Sequence, residues 1–178
     1  DYPKASLYKD RIEQIKSFRG HNLGAFVFHL GETTQDSMTW WNINQGPYKR
    51  QVFWAIYENY QGKPAPSAAP KIKRFSLSKA RGLKENEIIA AEVEMSGDNN
   101  EDYTYEYRIS TAIVNVLKYY VNHFVAAEVI GQGPKVQIKV PGKPGVYRVY
   151  CFVKDKNGNL SSLNKTISVG EAPRPLEK

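Results

Sequence analysis

The spacing of apolar side chains changes once along this chain, and the change divides it in two. In the first part Tyr8, Ile12, Ile15 and Phe18 fall at helical spacing and Gly20 follows as a stop signal, which predicts a helix over 6–18. Leu23 to Leu30 comes next, an apolar run interrupted only by His29. It does not alternate, so it predicts a strand covered on both faces, as in a parallel sheet. Pro47 stands where a second helix can begin, Phe53, Ile56, Tyr57 and Tyr60 form one apolar stripe, and Gly62 with Pro64 closes the segment, predicting a helix over 48–60. A helix–strand–helix run of about 60 residues buries too little surface to be stable by itself, so it reads as one piece of an α/β architecture.

Composition breaks at Lys63-Pro64-Ala65-Pro66-Ser67-Ala68-Ala69-Pro70, which carries three prolines and no large apolar side chain. Such a stretch suits a semi-rigid extended linker. Beyond it the period is two. Ile72 to Leu77 opens the series; Ile89, Ala91, Val93 and Met95 alternate with polar partners, as do Tyr103, Tyr105, Tyr107 and Ile109. Val136, Ile138 and Val140 form the next strand, then Tyr147, Val149, Cys151 and Val153, then Leu163, Ile167 and Val169, with Lys165 as the exception. Asn157-Gly158 between the last two is a hairpin signal. Regular strands divided by turns predict an antiparallel immunoglobulin-like β-sandwich of about 100 residues. Ile113, Val116, Leu117, Tyr120, Val121 and Phe124 match helical spacing, but their β-branched and aromatic character favours extended structure, and a seventh strand is wanted there. The expected fold class is therefore α+β, divided as 1–63, a linker at 64–70, a sandwich at 71–169 and a tail at 170–178.

Charge and cysteine change this picture little. The 25 basic and 18 acidic residues give a net charge of +7, but the basic side chains are dispersed, the densest group being Lys71, Lys73 and Arg74, and no nucleic-acid recognition motif accompanies them. A solvated basic surface is the expectation, with no nucleic-acid partner. No apolar run approaches the roughly 20 residues of a spanning helix. The start, Asp1-Tyr2-Pro3-Lys4, lacks the features of a secretory signal, so the sequence is expected to be mature, truncated or excised from a longer protein. Cys151 is the single cysteine, on an alternating strand, and is expected to be a small core residue.

Leu23 to Glu32, then Thr39-Trp40, then Tyr60-Gln61-Gly62-Lys63, then Ala69-Pro70-Lys71-Ile72 together resemble the C-terminal end of a group of TIM-barrel glycoside hydrolases. In those proteins the last barrel strand and helix are followed by an immunoglobulin-like or PKD-like module, and Pro141 to Asp155 looks like the penultimate strands of such a module. The resemblance implies that residues 1–63 are a remnant of a (β/α)8 barrel, with Leu23 to Leu30 as its eighth strand. The C-terminal end of a barrel strand faces the active site, so His29, Glu32, Gln35, Trp40 and Trp41 would lie near substrate. Aromatic faces stack on the C–H faces of sugars, and Glu32 and Gln35 would bond hydroxyls. Each has a plainer role open to it: Trp40 and Trp41 packing the loop, His29 satisfied within the core, Glu32 capping or salt-bridging the loop. The sequence departs from the family pattern at Leu30, where relatives carry Trp, and at Glu32, where they carry Gln.

Glycosidases need two carboxyl groups across the scissile bond, supplied in such barrels by earlier strands. No catalytic residue, metal or cofactor is therefore expected here. Two function classes follow. One is the C-terminal portion of a carbohydrate-active enzyme, acting with the rest of its barrel on an oligosaccharide or polysaccharide at a secreted, periplasmic or cell-surface location. The other is a non-catalytic immunoglobulin-like module that binds glycan or protein through its tyrosines. Tyr103, Tyr105 and Tyr107 share phase with Ile109, which favours a core position over an exposed platform.

Overall fold

The structure is a computed structural model and describes residues 2–18, 20–21, 43–97, 102–111 and 124–171. The strand expected at Leu23 to Leu30 lies outside them, as does all but Phe124 of the ambiguous segment that ends there. Two helices, α1 (Tyr2–Ser17) and α2 (Gln51–Gln61), pack on each other, and a short ribbon of β1 (Asn44–Gln45) and β2 (Tyr48–Lys49) precedes α2. Then come β3 (Ile72–Leu77), β4 (Ile88–Met95), β5 (Thr104–Thr111), β6 (Phe124–Val125), β7 (Glu128–Ile130), β8 (Lys135–Lys139), β9 (Gly145–Lys154) and β10 (Leu160–Val169).

These eight strands make two antiparallel sheets, ordered β10-β9-β5-β6 and β3-β4-β8-β7. Their inward side chains form one core: Phe75, Ile89, Ala91, Val93, Ile109, Ile138, Val149, Cys151, Val153, Ile167 and Val169 among them. The alternation read from the sequence is the alternation of burial, buried and exposed in turn from Ile88 to Val93. The chain crosses from one sheet to the other within residues 124–130, through β6 and β7, which are too short to leave a hydrophobic period. At the β9–β10 hairpin the Asn157-Gly158 signal sits in a five-residue loop, Asp155 to Asn159, rather than a two-residue turn. Gly158 takes the left-handed backbone there (φ 77°), which costs glycine little.

The helical part differs from expectation in phase. Pro47 does not open a helix; it lies in the turn between β1 and β2, and α2 starts four residues later. The side chain of Arg50, the residue that precedes α2, turns into the protein instead of capping the helix. On α2 the buried residues are Val52, Trp54 and Ala55, whereas Tyr60 of the expected stripe is 60% exposed. Val52 and Ala55 meet Ala5 and Ile43 against α1, and Trp54 points toward the sandwich, so the packed face is rotated from the aromatic stripe. On α1 only Ala5 is buried, and Phe18 is 53% exposed. Gly62 ends α2 as expected, left-handed at φ 63°, its N–H donating to Glu58 O at 2.9 Å. Among the described residues no helix is long and apolar enough to cross a membrane.

Ile138 and Ile88 give a direct test of the alternation. Ile138 is fully buried and Ile88 is 52% exposed. Ile138→Ala is expected to cost about 2–5 kcal/mol in urea unfolding, and Ile88→Ala to stay within about 0.5 kcal/mol.

Candidate functional site

His29, Glu32, Gln35, Trp40 and Trp41, the residues expected at a sugar subsite, all fall within 22–42, outside the described residues. The described geometry resumes at Ile43 and includes a polar junction and two clefts that share a lining residue, besides a third of about 520 Å³ lined by Gly82 to Glu85, Gly170 and Glu171.

The junction joins the helical part to the sandwich. Lys49 N–H donates to Gly158 O at 2.8 Å, and Lys49 pairs with Asn159 in a parallel bridge. Trp54 Nε1 donates to Asn159 Oδ1 at 2.8 Å. Asn159 Nδ2 in turn donates to Ser67 Oγ at 2.7 Å and to Asp155 Oδ2 at 2.8 Å. Deeper in, the Arg50 guanidinium is fully buried and donates to Ser162 Oγ at 3.0 Å and to Gln45 Oε1 at 2.7 Å. Burial pulls the Arg50 pKa down, to about 10, which leaves it charged at neutral pH. Lys4 on α1 is pulled down to about 8, first by burial and then by repulsion from Arg50. The proline-rich stretch is tied in as well: Ala69 N–H donates to Gln51 Oε1 at 2.9 Å, and Ala69 O accepts from the Tyr2 hydroxyl at 2.7 Å.

The first cleft, about 530 Å³, opens at one end of the sandwich where β4 and the start of β8 face the start of β5. Met95, Tyr103 and Tyr105 line it and pack against the core; the two rings meet edge to face, 6.5 Å apart. Glu92, Glu94, Asp102, Pro134 and Lys135 also line it. The rim charges are largely paired: Glu92 with Lys135 at 2.9 Å, and Glu94 with Lys73 and Arg74. The Lys73 hydrogen bond holds the Glu94 carboxyl below its ordinary pKa, so it stays ionised. Burial raises the Tyr105 phenol, which keeps its proton and remains a hydrogen-bond donor. Farther in on the same face, Tyr107 is buried and donates to Gly133 O at 3.0 Å. Behind it the Cys151 thiol is fully buried and pushed up to about 12 by that burial, which makes it an inert core group. The core position expected for the three tyrosines thus holds fully for Tyr107, while Tyr103 and Tyr105 are half-buried at the mouth.

The second cleft, about 540 Å³, lies between the β1–β2 ribbon and the β9–β10 turn: Pro47 and Tyr48 on one side, Asp155, Lys156 and Gly158 on the other, Thr104 and Asp102 along β5. Tyr48 packs against the buried Tyr150, Phe152 and Leu160, and the Lys154 ammonium sits 5.0 Å from its ring centre. Sequence reasoning missed Glu92, Glu94, Asp102, Lys135 and Tyr48 as site residues. The signal within reach was the tyrosine alternation, which runs on past the core.

No protein-family model matches this sequence, and no curated protein matches it. Among solved structures it is similar to PcoC, a methionine-rich copper resistance protein from Escherichia coli, at 22% identity, covering 57% of this chain and 99% of that one with a TM-score of 0.36. The PKD1 domain of the Vibrio cholerae metalloprotease PrtV is similar at 19% identity, over 57% of this chain and 98% of that one, TM-score 0.36. A carbohydrate-binding module from the β-sandwich superfamily is similar at 24% identity, over 57% of this chain and 34% of that one, TM-score 0.34. The β-sandwich assignment rests on the strand pairing described above. As to metal, the chain has two methionines, and among the described residues no group of three or more His, Cys, Asp or Glu side chains is placed to hold an ion.

Lys4 makes the junction sensitive to alkaline pH. Its pKa is lower in the folded protein than in the unfolded chain, so between about pH 8 and the ordinary lysine value the unfolded state binds more protons and stability rises with pH. Below pH 8 both states are protonated and the full penalty applies. Lys4→Met is therefore expected to melt above the wild type at pH 7, with the difference shrinking toward pH 10.5; thermal melts of both proteins across that range check it.

Proposed function

We propose that this chain is a non-catalytic binding module whose sandwich recognises a neutral oligosaccharide or polysaccharide at the tyrosine-lined cleft. One observation carries the reading: Tyr103, Tyr105 and Met95 form an apolar floor beneath a rim on which Glu92 and Glu94 are paired with basic side chains and Asp102 is left without an ion pair among the described residues. Aromatic faces suit the C–H faces of a sugar, and the paired rim offers donors and acceptors to hydroxyls without a strong field of one sign. A strongly charged ligand would call for more than the single unpaired carboxylate, Asp102, that this cleft presents among the described residues. A protein partner would need a contact nearer 800 Å² on each side, and a recess with a charged rim is a poorer match for that. Glu94, held ionised by Lys73, is suited to accept hydrogen bonds and unsuited to act as the protonated acid that glycoside cleavage requires. A glycan ligand implies a secreted, periplasmic or surface location.

Tyr103→Ala is expected to weaken binding of a soluble oligosaccharide about tenfold or more, since a lost stacking contact of about 1.4 kcal/mol is a factor of ten. Ile88→Ala, on the outer face of the opposite sheet, is expected to leave affinity unchanged. Isothermal titration of both variants checks this; equal affinities would remove the cleft from consideration.

The order of the helices favours a second reading. Tyr2–Ser17 and Gln51–Gln61 flank Leu23 to Leu30 in sequence, as the last elements of a barrel would. On this reading the chain is the C-terminal portion of a glycoside hydrolase, and His29, Glu32, Gln35, Trp40 and Trp41 contact substrate in the intact parent. There Trp40→Ala is expected to cost about 1–3 kcal/mol of substrate binding, roughly ten- to hundredfold, while Cys151→Ala leaves turnover unchanged. If Trp40→Ala lowers only the melting temperature, Trp40 packs the loop and forms no subsite.

A further inference from the structure

We propose that the two clefts are halves of one groove, joined at Asp102, and that the groove takes a linear oligosaccharide longer than the tyrosine cleft alone can hold. The inference rests on the glycan reading above and extends it from a single subsite to a chain-length preference.

Three observations lead to it. Asp102, exposed just before β5, lines both clefts. Side chains alternate along a strand, so Tyr103 and Tyr105 line the first cleft while Thr104 lines the second. The two clefts thus lie on opposite faces of β5, and a ligand that rounds the start of the strand passes from one to the other beside the same carboxylate. The second cleft also repeats the chemistry of the first. It offers one aromatic ring, Tyr48, with a hydroxyl at Thr104 and an ammonium at Lys156. Asp155 is already committed: its Oδ1 accepts from the N–H groups of Asn157 and Asn159, each at 2.8 Å, and its Oδ2 from Asn159 Nδ2. Among the described residues no side-chain hydrogen bond or ion pair engages Asp102, Thr104 or Lys156, so all three present polar groups to a ligand.

The arrangement makes the site composite. The first cleft belongs wholly to the sandwich, but Pro47 and Tyr48 belong to the ribbon that the junction holds against the β9–β10 turn. A short sugar would use the tyrosine cleft only. A longer one would add contacts at Thr104, Lys156 and Tyr48, and its affinity would depend on residues that a disaccharide does not reach.

The test is isothermal titration of the full chain with disaccharides and hexasaccharides of β-1,3-glucan, β-1,4-glucan, β-1,4-xylan and β-1,4-mannan. The proteins are the wild type, the double variant Thr104→Ala/Lys156→Ala, and Tyr103→Ala. Thr104 and Lys156 are exposed, so the double variant is expected to melt with the wild type, which a thermal melt verifies. The wild type is expected to bind the hexasaccharide of one series about tenfold or more tightly than its disaccharide. The double variant loses that preference and keeps the disaccharide affinity, while Tyr103→Ala weakens both lengths. If the double variant keeps the full preference although Tyr103→Ala weakens binding, the clefts are separate and the groove is refuted while the glycan reading stands. If none of the eight probes binds the wild type, both are refuted.

Discussion

Asn159 holds the described parts of this molecule together. It is fully buried, and its side chain has three partners: Oδ1 accepts from Trp54 on α2, and Nδ2 donates to Ser67 in the proline-rich stretch and to Asp155 across its own turn. Its backbone N–H is fixed by Asp155 and its carbonyl accepts from the Asp155 N–H at 3.1 Å. A buried amide leaves a desolvated donor or acceptor behind for every partner removed, at about 1–3 kcal/mol each, so the three attachments are maintained together. The position of the β1–β2 ribbon against the sandwich, and with it the second cleft, follows from this node.

The ribbon also explains why β9 is buried on both faces. Tyr147, Val149, Cys151 and Val153 point into the core, while Tyr150 and Phe152 on the opposite face stack 5.9 Å apart beneath Tyr48 and beside Leu160. Arg108 lies over Phe152, and Lys154 is shared between Tyr48 and Glu106. Apolar surface that would otherwise face water at the sheet is thus covered by the N-terminal part of the chain. That part, in turn, has few buried residues of its own, Ala5, Ile43, Val52 and Ala55 being its small core. Each depends on the other for burial, which is why the proline-rich stretch between them is hydrogen-bonded at Ser67 and Ala69.

What was legible in the sequence was whatever the backbone period writes locally. Ile89, Ala91 and Val93, or Val149, Cys151 and Val153, alternate because one face of each strand meets the core, and two helices were readable from spacing and the Gly62 stop. Positions set by partners distant in sequence were not. Pro47 looks like a helix start until Asn44 and Gly46 are seen to form a ribbon turn with it, and the aromatic stripe of α2 misleads because Trp54 is drawn to Asn159, 105 residues away. The strands β6 and β7 are too short for any period, and the strand and loop expected from Leu23 to Trp41 lie outside the described residues. The tyrosine phase pointed to the cleft floor, but the rim could not be read, because Glu92, Glu94 and Lys135 reach it from β4 and β8 of the opposite sheet.

The central claim is that a glycan is held at the end of the sandwich around the start of β5. Amide chemical-shift mapping on the isotope-labelled full chain, titrated with the β-linked hexasaccharide that binds it, reports this residue by residue. The account predicts the largest shifts at Asp102 to Tyr105, with accompanying shifts at Met95, Lys135, Tyr48 and Lys156. Shifts confined to the outer face of the opposite sheet, around Ile88, Ala90 and Gln137, with Asp102 to Tyr105 unmoved, would contradict it.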